Sequence, residues 1–371
     1  LFRSNVEKFL IPNLDQDVIV LVDGHFVPEL SSVRATNGVT VHTIQKIASE
    51  KAQPLSDLVS TMGIGTDVEN NAFTNLNTAL FTDGVAITIA AGVEVRHAIH
   101  IVSLNSSKTD IMLSIRNVVV AGENSEAHII ESYGATGEAD YFSAPVTEVI
   151  CGKSARITHS KVQCESTAAT HIGALYVRQA EKSHFTSNLF SFGGKVVRNE
   201  IHPEIAGEGC ECLLNGLTVL DNEQHTDNTT VIDHAMPNCF SRELYKGIYG
   251  GKSQGAFSGT IIVRPDAQKT NAVQSNNSIL LSDQAGIFTR PQLKIWADDV
   301  KCTHGATVGQ LDDNALFYLR SRGIEKSEAR NLLVHAFASD ILTHVIDNDL
   351  REYLENMLSE RLIEIAGGAS C

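Results

Sequence analysis

A chain of 371 residues, 43% hydrophobic and 20% charged, has an ordinary globular composition and enough length for one large core plus a smaller unit. Its formal net charge of −15 argues against non-specific nucleic-acid binding and against anionic membrane surfaces, both of which call for a basic face. No stretch approaches the ~18 apolar residues of a membrane span, the start shows no signal-peptide pattern, and seven scattered cysteines make a poor disulfide framework.

The expectation is therefore reduced thiols in the cytoplasm, or in a plastid if the source is eukaryotic. On that reading the sequons at Asn105, Asn228 and Asn276 are chance matches.

Residues 1–80 read as a mixed α/β region. Residues 17–27 suggest a strand, an Asp23-Gly24 turn and a second strand. Residues 39–44 suggest another strand, and residues 44–62 a loose helix interrupted by Pro54. Residues 70–80 suggest a short helix. From about 83 to 300 the texture changes to short apolar runs separated by Gly, Asn, Asp, Ser and Lys, without helical periodicity. Such a pattern suits a sandwich, a barrel or a solenoid. The span is too long for one sandwich and carries few two-residue hairpin signals. Gly-Glu-Asn at 122–124, Gly-Lys-Ser at 152–154 and Gly-Glu-Gly at 207–209 suit corners between coils. The fold class expected is mainly β: a parallel β-helix core over residues 81–306, although no clean residue repeat is visible.

Residues 301–311 form the junction to a helical unit at 307–371. Asp312 or Asp313 can cap a helix over 314–322, stopped by Gly323, with Leu316, Tyr318 and Leu319 on its apolar face. Ser327 can cap a second helix over 328–346, with Leu332, Leu333, Ala336, Phe337, Ile341 and Val345 at helical spacing. A third helix is expected over 350–365. These helices bury little alone, so they must pack on the β core or on another protein.

The best chemical constellation is Cys302-Thr303-His304. On a strand, residues i and i+2 share a face, so a thiol and an imidazole look in one direction. Both are ligand types for iron, zinc or copper. Two ligands cannot complete a tetrahedral site, and the plain alternative is a strand end with a buried Cys and a bonded His.

The other candidates are weaker. Residues 249–253, Tyr-Gly-Gly-Lys-Ser, are similar to a phosphate-binding loop but lack its first Gly and a following helix. Glu223, His225 and Asp227 alternate, with Asp233 and His234 after them; a solvated or hydrogen-bonded face explains them more simply. Arg96-His97-Ala98-Ile99-His100 and Cys210-Glu211-Cys212 carry no metal signature. No Gly-x-Ser-x-Gly or His-Glu-x-x-His occurs.

Several long motifs occur in order. They are Asn75-Leu-Asn-Thr-Ala79, Glu223-Gln-His225, Tyr245-Lys-Gly247, Arg264-Pro-Asp-Ala-Gln-Lys-Thr270, Asp298-Asp-Val-Lys-Cys-Thr-His-Gly-Ala-Thr-Val-Gly-Gln-Leu311 and Ala315-Leu-Phe-Tyr-Leu-Arg-Ser-Arg-Gly-Ile324. With them the chain resembles the SufB/SufD family of the SUF iron–sulfur cluster assembly system, on its SufD side. The resemblance is densest from about 210 to 340.

It implies a right-handed parallel β-helix and a non-enzymatic scaffold that joins SufB end to end and two copies of the ATPase SufC. A transient iron–sulfur cluster shared with SufB is implied at that interface, with His304 as its metal ligand and Cys302 beside it. SufC is implied to dock on the C-terminal helices; the residues we assign to that contact are Leu316, Phe317, Tyr318, Arg320, Arg322 and Phe337. Sulfur is implied to come indirectly from a desulfurase system. Reduced flavin is implied at the level of the complex, with no residue assigned to it. Self-pairing of the isolated chain stays open. The family's N-terminal helical region looks largely missing here.

Two competing expectations follow from the residues themselves. One is a secreted-type β-helix enzyme acting on polysaccharide, with Glu223, Asp227 or Asp233 as acid and base. The other is a structural adaptor without cluster chemistry.

Overall fold

Strict alternation along ten-residue strands builds the core. In β16 (His225–His234) and β18 (Gln254–Val263) every second residue is buried and the others are half-buried. Strands of that kind turn one face to a core and the other outward. The structure is a computed structural model describing residues 6–50, 71–137 and 140–368.

Two large sheets result. The first holds β1 (Gln16–Val22) with its antiparallel partner β2 (His25–Phe26), then β5 (Ala98–Asn105), β8 (Glu126–Ala135), β11 (Arg156–Cys164), β13 (His184–Ser191), β15 (Glu211–Leu220), β17 (Phe240–Tyr249), β19 (Asn271–Leu280) and β21 (Lys301–Gly309). The second holds β3 (Val39–Thr43), β4 (Val85–Ile89), β7 (Arg116–Ala121), β10 (Val146–Cys151), β12 (Ala169–Gln179), β14 (Val196–Ile205), β16, β18 and β20 (Gly286–Ile295). The short β6 (Ile111–Leu113) and β9 (Tyr141–Ser143) pair beside β12.

From β11 onward the chain alternates between the sheets, and strands within each sheet run parallel. This is a parallel β-helix of about seven coils, as the strand texture predicted.

The coils stack in register. Cys212, Ser241, Ala272 and Cys302 occupy one position on successive coils. Corners are turned by residues in the left-handed region: Asn124, Ser154, Lys182, Gly209, Asn238 and Lys269 all have φ between 54° and 71°. Three of these close the Gly-containing segments read as corners. The three sequons are buried at Asn105, Asn228 and Asn276, where no glycan fits.

The helix α1 (Ile44–Glu50) follows β3, and the rest of the loose helix expected to residue 62 lies outside the described residues. The helix α2 (Ala72–Leu80) is capped by Asn71, whose side chain accepts from the Phe73 and Thr74 amides. It seats on the second sheet through Asn77, whose Nδ2 donates to the carbonyls of Ile115 at 2.8 Å and Ala144 at 2.7 Å.

At the other end come α3 (Asp313–Ser321), α4 (Lys326–Leu342) and α5 (Asn348–Gly368). Asp312 is the cap of α3, and Gly323 ends it with φ 89°. Three details differ from the sequence reading. Tyr318 leaves the apolar face of α3 for solvent, whereas Leu316 and Leu319 are half-buried. The cap of α4 is Glu325, whose carboxylate accepts the Ser327 amide at 2.7 Å. The buried stripe of α4 is Ala329, Val334, Ala338, Ile341 and Leu342, which leaves Leu332 and Ala336 exposed. Both α4 and α5 lie on the first sheet, where Val334 and Leu358 join Phe190, Leu217 and Ile248 in one apolar cluster.

Candidate functional site at the open end of the β-helix

Among the described residues no strand pairs beyond the last coil. β21 pairs only with β19 and β20 only with β18, so each presents an edge unpaired among the described residues. Inward positions that are buried on the coil beneath, such as Ile261, Val263 and Gln274, become half-buried or exposed at Leu293, Ile295 and His304. Trp296, 59% exposed, and Val308 add apolar surface there. Free strand edges and apolar surface in one place mark an interaction site.

Cys302 and His304 both face this opening, as the alternation predicted. Register sets Cys302 over Ala272 and His304 over Gln274. Cys302 packs against the Ile261, Val263 and Ala272 cluster. That burial pushes its thiol above the ordinary range, partly offset by a backbone hydrogen bond at Ala272. Its resting form is a thiol, and ligation would require loss of that proton. His304 is exposed.

Beneath them runs a column that sequence reading missed. Glu243 on β17 and Gln274 on β19 are fully buried and in register under His304. Gln274 Nε2 donates to the Glu243 carboxyl. Burial pushes Glu243 up to about 7, with hydrogen bonds from Thr230 and Gln274 holding it back. The signal was present in the sequence: Ser241, Glu243 and Tyr245 alternate, so a carboxyl falls on an inward position.

Among the described residues no three His, Cys, Asp or Glu side chains converge as a metal site. Cys302 and His304 are at most half a coordination shell.

The remaining candidates fall elsewhere. Glu223 sits in a corner 3.4 Å from Lys252. His225 and Asp227 face outward on β16, Asp233 is clamped by Arg264 at 2.7 Å, and His234 turns inward onto Ser241 at 2.9 Å. Residues 250–253 turn from β17 straight into β18, so no helix follows the Gly-Gly-Lys-Ser segment. Cys210 and Cys212 are buried. His97 meets Asp17 at 3.1 Å, and His100 bridges Gln16 and Ser132, each at 2.7 Å.

A second ionisable cluster lies several coils deeper. Lys161 donates to His171 at 2.8 Å and Asn199 at 3.0 Å, and His171 meets Glu165 at 2.7 Å. Glu131 accepts from Tyr133 at 2.7 Å and Thr147 at 2.6 Å. The adjoining cavity of about 20 Å³ has room for about one water. Burial lowers Lys161 to about 8 against the pull of Glu131 and Glu165. These groups bond chiefly to one another, and the cluster reads as structural.

On α3, Phe317 is 73% and Tyr318 58% exposed. The Arg322 guanidinium lies 5.2 Å from the Tyr318 ring centre and donates to its hydroxyl at 3.2 Å. Arg320 is exposed and Leu316 half-buried. Phe337 stands apart: it turns to β17, where Lys246 Nζ sits 4.5 Å from its ring centre and 2.7 Å from Asp340.

Among the described residues no helix is long and apolar enough to cross a membrane. The family model for the SUF system FeS cluster assembly SufBD core domain matches residues 103–337. The model for the SufBD N-terminal region matches residues 4–101, so that region is represented in the chain. A Synechocystis protein named as an iron–sulfur cluster assembly SufBD family protein is 34% identical over 96% of this chain and 80% of its own. The Escherichia coli iron–sulfur cluster assembly protein SufD is 30% identical over 96% and 81%. An Arabidopsis thaliana protein, ABCI7, chloroplastic, is 31% identical over 91% and 72%. A β-helix with these matches along nearly its whole length belongs to the SufBD family of the SUF iron–sulfur cluster assembly system.

Proposed function

We propose that the chain is a non-enzymatic scaffold subunit that pairs its open β-helix end with a SufB-type β-helix and carries a SufC-type ATPase on its C-terminal helices. The observation that carries this reading is His304: an exposed imidazole on a strand whose outer edge is unpaired among the described residues, two positions from Cys302 on the same face. The nascent cluster is the cargo of that interface. His304 supplies a nitrogen ligand to it, and Cys302 is an auxiliary thiol that must first lose its proton. No residue of this chain is assigned to flavin.

Coupling to ATP hydrolysis has a physical route. α4 grips the outer face of β17 through Asp340 on Lys246, and His344, just past its C-terminus, meets Arg242 at 3.3 Å. The inner face of the same strand carries Glu243, below the open end. A force on α3 and α4 therefore reaches the strand that underlies the site. The site is worked by its partners, which fits cytoplasm or plastid stroma as the compartment.

The test is anaerobic co-expression with SufB-type and SufC-type partners. Phe317→Ser with Tyr318→Ser should lose the ATPase, keep the β-helix partner and leave thermal stability unchanged, since both side chains are exposed. Full ATPase retention by that double variant would place docking elsewhere. Cluster assembly at full yield without any partner would overturn the scaffold reading.

A further inference from the structure

We infer that Gln274 is the positioning residue of His304: when the exposed ring turns in over the lumen, the buried and unpartnered Gln274 Oε1 is the acceptor for one ring N–H, so that the other ring nitrogen faces out of the open end. The inference rests on the reading of His304 as the ligand. Histidines that ligate metals commonly donate their second nitrogen to a fixed acceptor, which selects the tautomer and the ring orientation.

Four observations lead to it. Gln274 is the in-register neighbour of His304, and adjacent strands stack about 4.8 Å apart. Its Nε2 is committed to Glu243 on the coil beneath. The two ends of an amide diverge, so an Nε2 directed downward turns Oε1 toward the coil above. That Oε1 is buried and has no hydrogen-bond partner among the described residues, a costly state that calls for a donor. Across the lumen, Gly259 leaves room for the amide: a Cβ at 259 would lie 2.2 Å from Gln274 Nε2.

On the last coil the residue in register with Gly259 is Pro291, which has no N–H to offer. Two other donors compete: Thr289, one inward position away, has a hydroxyl that is likewise unpartnered, and the buried Glu243 Oε1, also without a partner, can donate when the carboxyl is protonated.

The experiment is ¹⁵N NMR of histidine-labelled, metal-free full-length chain, with the His304 signals identified by their loss in His304→Ala. Gln274→Leu should change the His304 tautomer ratio by roughly fivefold or more, the effect of one net hydrogen bond. Gly259→Ala should do the same by displacing the amide, and provides the answer if Gln274→Leu folds poorly. Thr289→Val should leave the ratio unchanged.

A ratio unmoved by both Gln274→Leu and Gly259→Ala, or one moved only by Thr289→Val, overturns the inference. The readout needs no cluster. Should His304→Ala assemble clusters normally while the tautomer result stands, the ligand reading fails and the positioning contact survives.

Discussion

Arg116→Met should destabilise the chain by about 3–5 kcal/mol, the usual effect of removing one partner from a buried ion pair. Arg116 is the largest fully buried side chain among the described residues. It pairs with the equally buried Glu148 on the neighbouring strand. Its other terminal nitrogen donates to Asn77 Oδ1 and Thr78 Oγ1 of α2, each at 3.2 Å. One guanidinium thus ties two coils to the helix lying on them. Burial already lowers Arg116 to about 10, a sign of what desolvation costs it.

Replacing both ions, Arg116→Met with Glu148→Leu, should recover much of the loss, because no unpaired charge then remains. Urea unfolding of the two variants measures this. A single variant within 1 kcal/mol of wild type would show that the pair contributes little.

Glu243→Gln should flatten the fall in stability with rising pH. In the folded chain the carboxyl holds its proton up to about 7, whereas the unfolded chain ionises from about 4.5. Between those values the folded state binds more protons than the unfolded state. Stability therefore falls as pH rises through that window and levels off above it, by about 3 kcal/mol in total. The groups around the carboxyl are Thr230, Gln274, Tyr245 and Cys212. Tyr245 and Cys212 are held neutral by burial, so none of the four supplies a counter-charge.

A glutamine keeps the acceptor for Gln274 and removes the titration. Relative to wild type, the variant should gain about 2.5 kcal/mol between pH 5 and pH 8, read from paired urea titrations. A constant difference at both pH values would mean that Glu243 is ionised in the fold. The carboxyl of Glu131 works the other way. Despite burial, His159, Thr147 and Tyr133 hold it down at about 2, and its contribution is lost as pH falls below about 4.5.

The ends of elements were legible in the sequence and the repeat was not. Asp312 and Gly323 bracket α3 because a short carboxylate and a left-handed glycine have few other uses at those positions. Cys302 and His304 share a face because strand alternation dictates it. The coil repeat stayed hidden for two reasons. Equivalent positions drift, so that Gly255 pairs with Ile287 while Ser241 pairs with Ala272. Inward positions also mix Leu214, Glu243 and Gln274 in one column, which erases the apolar signature that periodicity needs.

Leu332 and Ala336 on α4 face solvent, contrary to their helical spacing, for a related reason. The helix is apolar on more than one face, and only contact with β15 and β17 selects the stripe of Val334, Ala338 and Ile341. Glu243 and Gln274 lie far from His304 in sequence and become its neighbours only through coil register.

The most direct measurement is iron and acid-labile sulfide per complex, after anaerobic assembly of the chain with SufB-type and SufC-type partners. Wild type and His304→Ala should form the same complex by gel filtration, because the side chain is exposed. Cluster content should fall roughly tenfold or more in the variant, and less in Cys302→Ala. Equal iron and sulfide in wild type and His304→Ala would contradict the assignment of the open end as the assembly site.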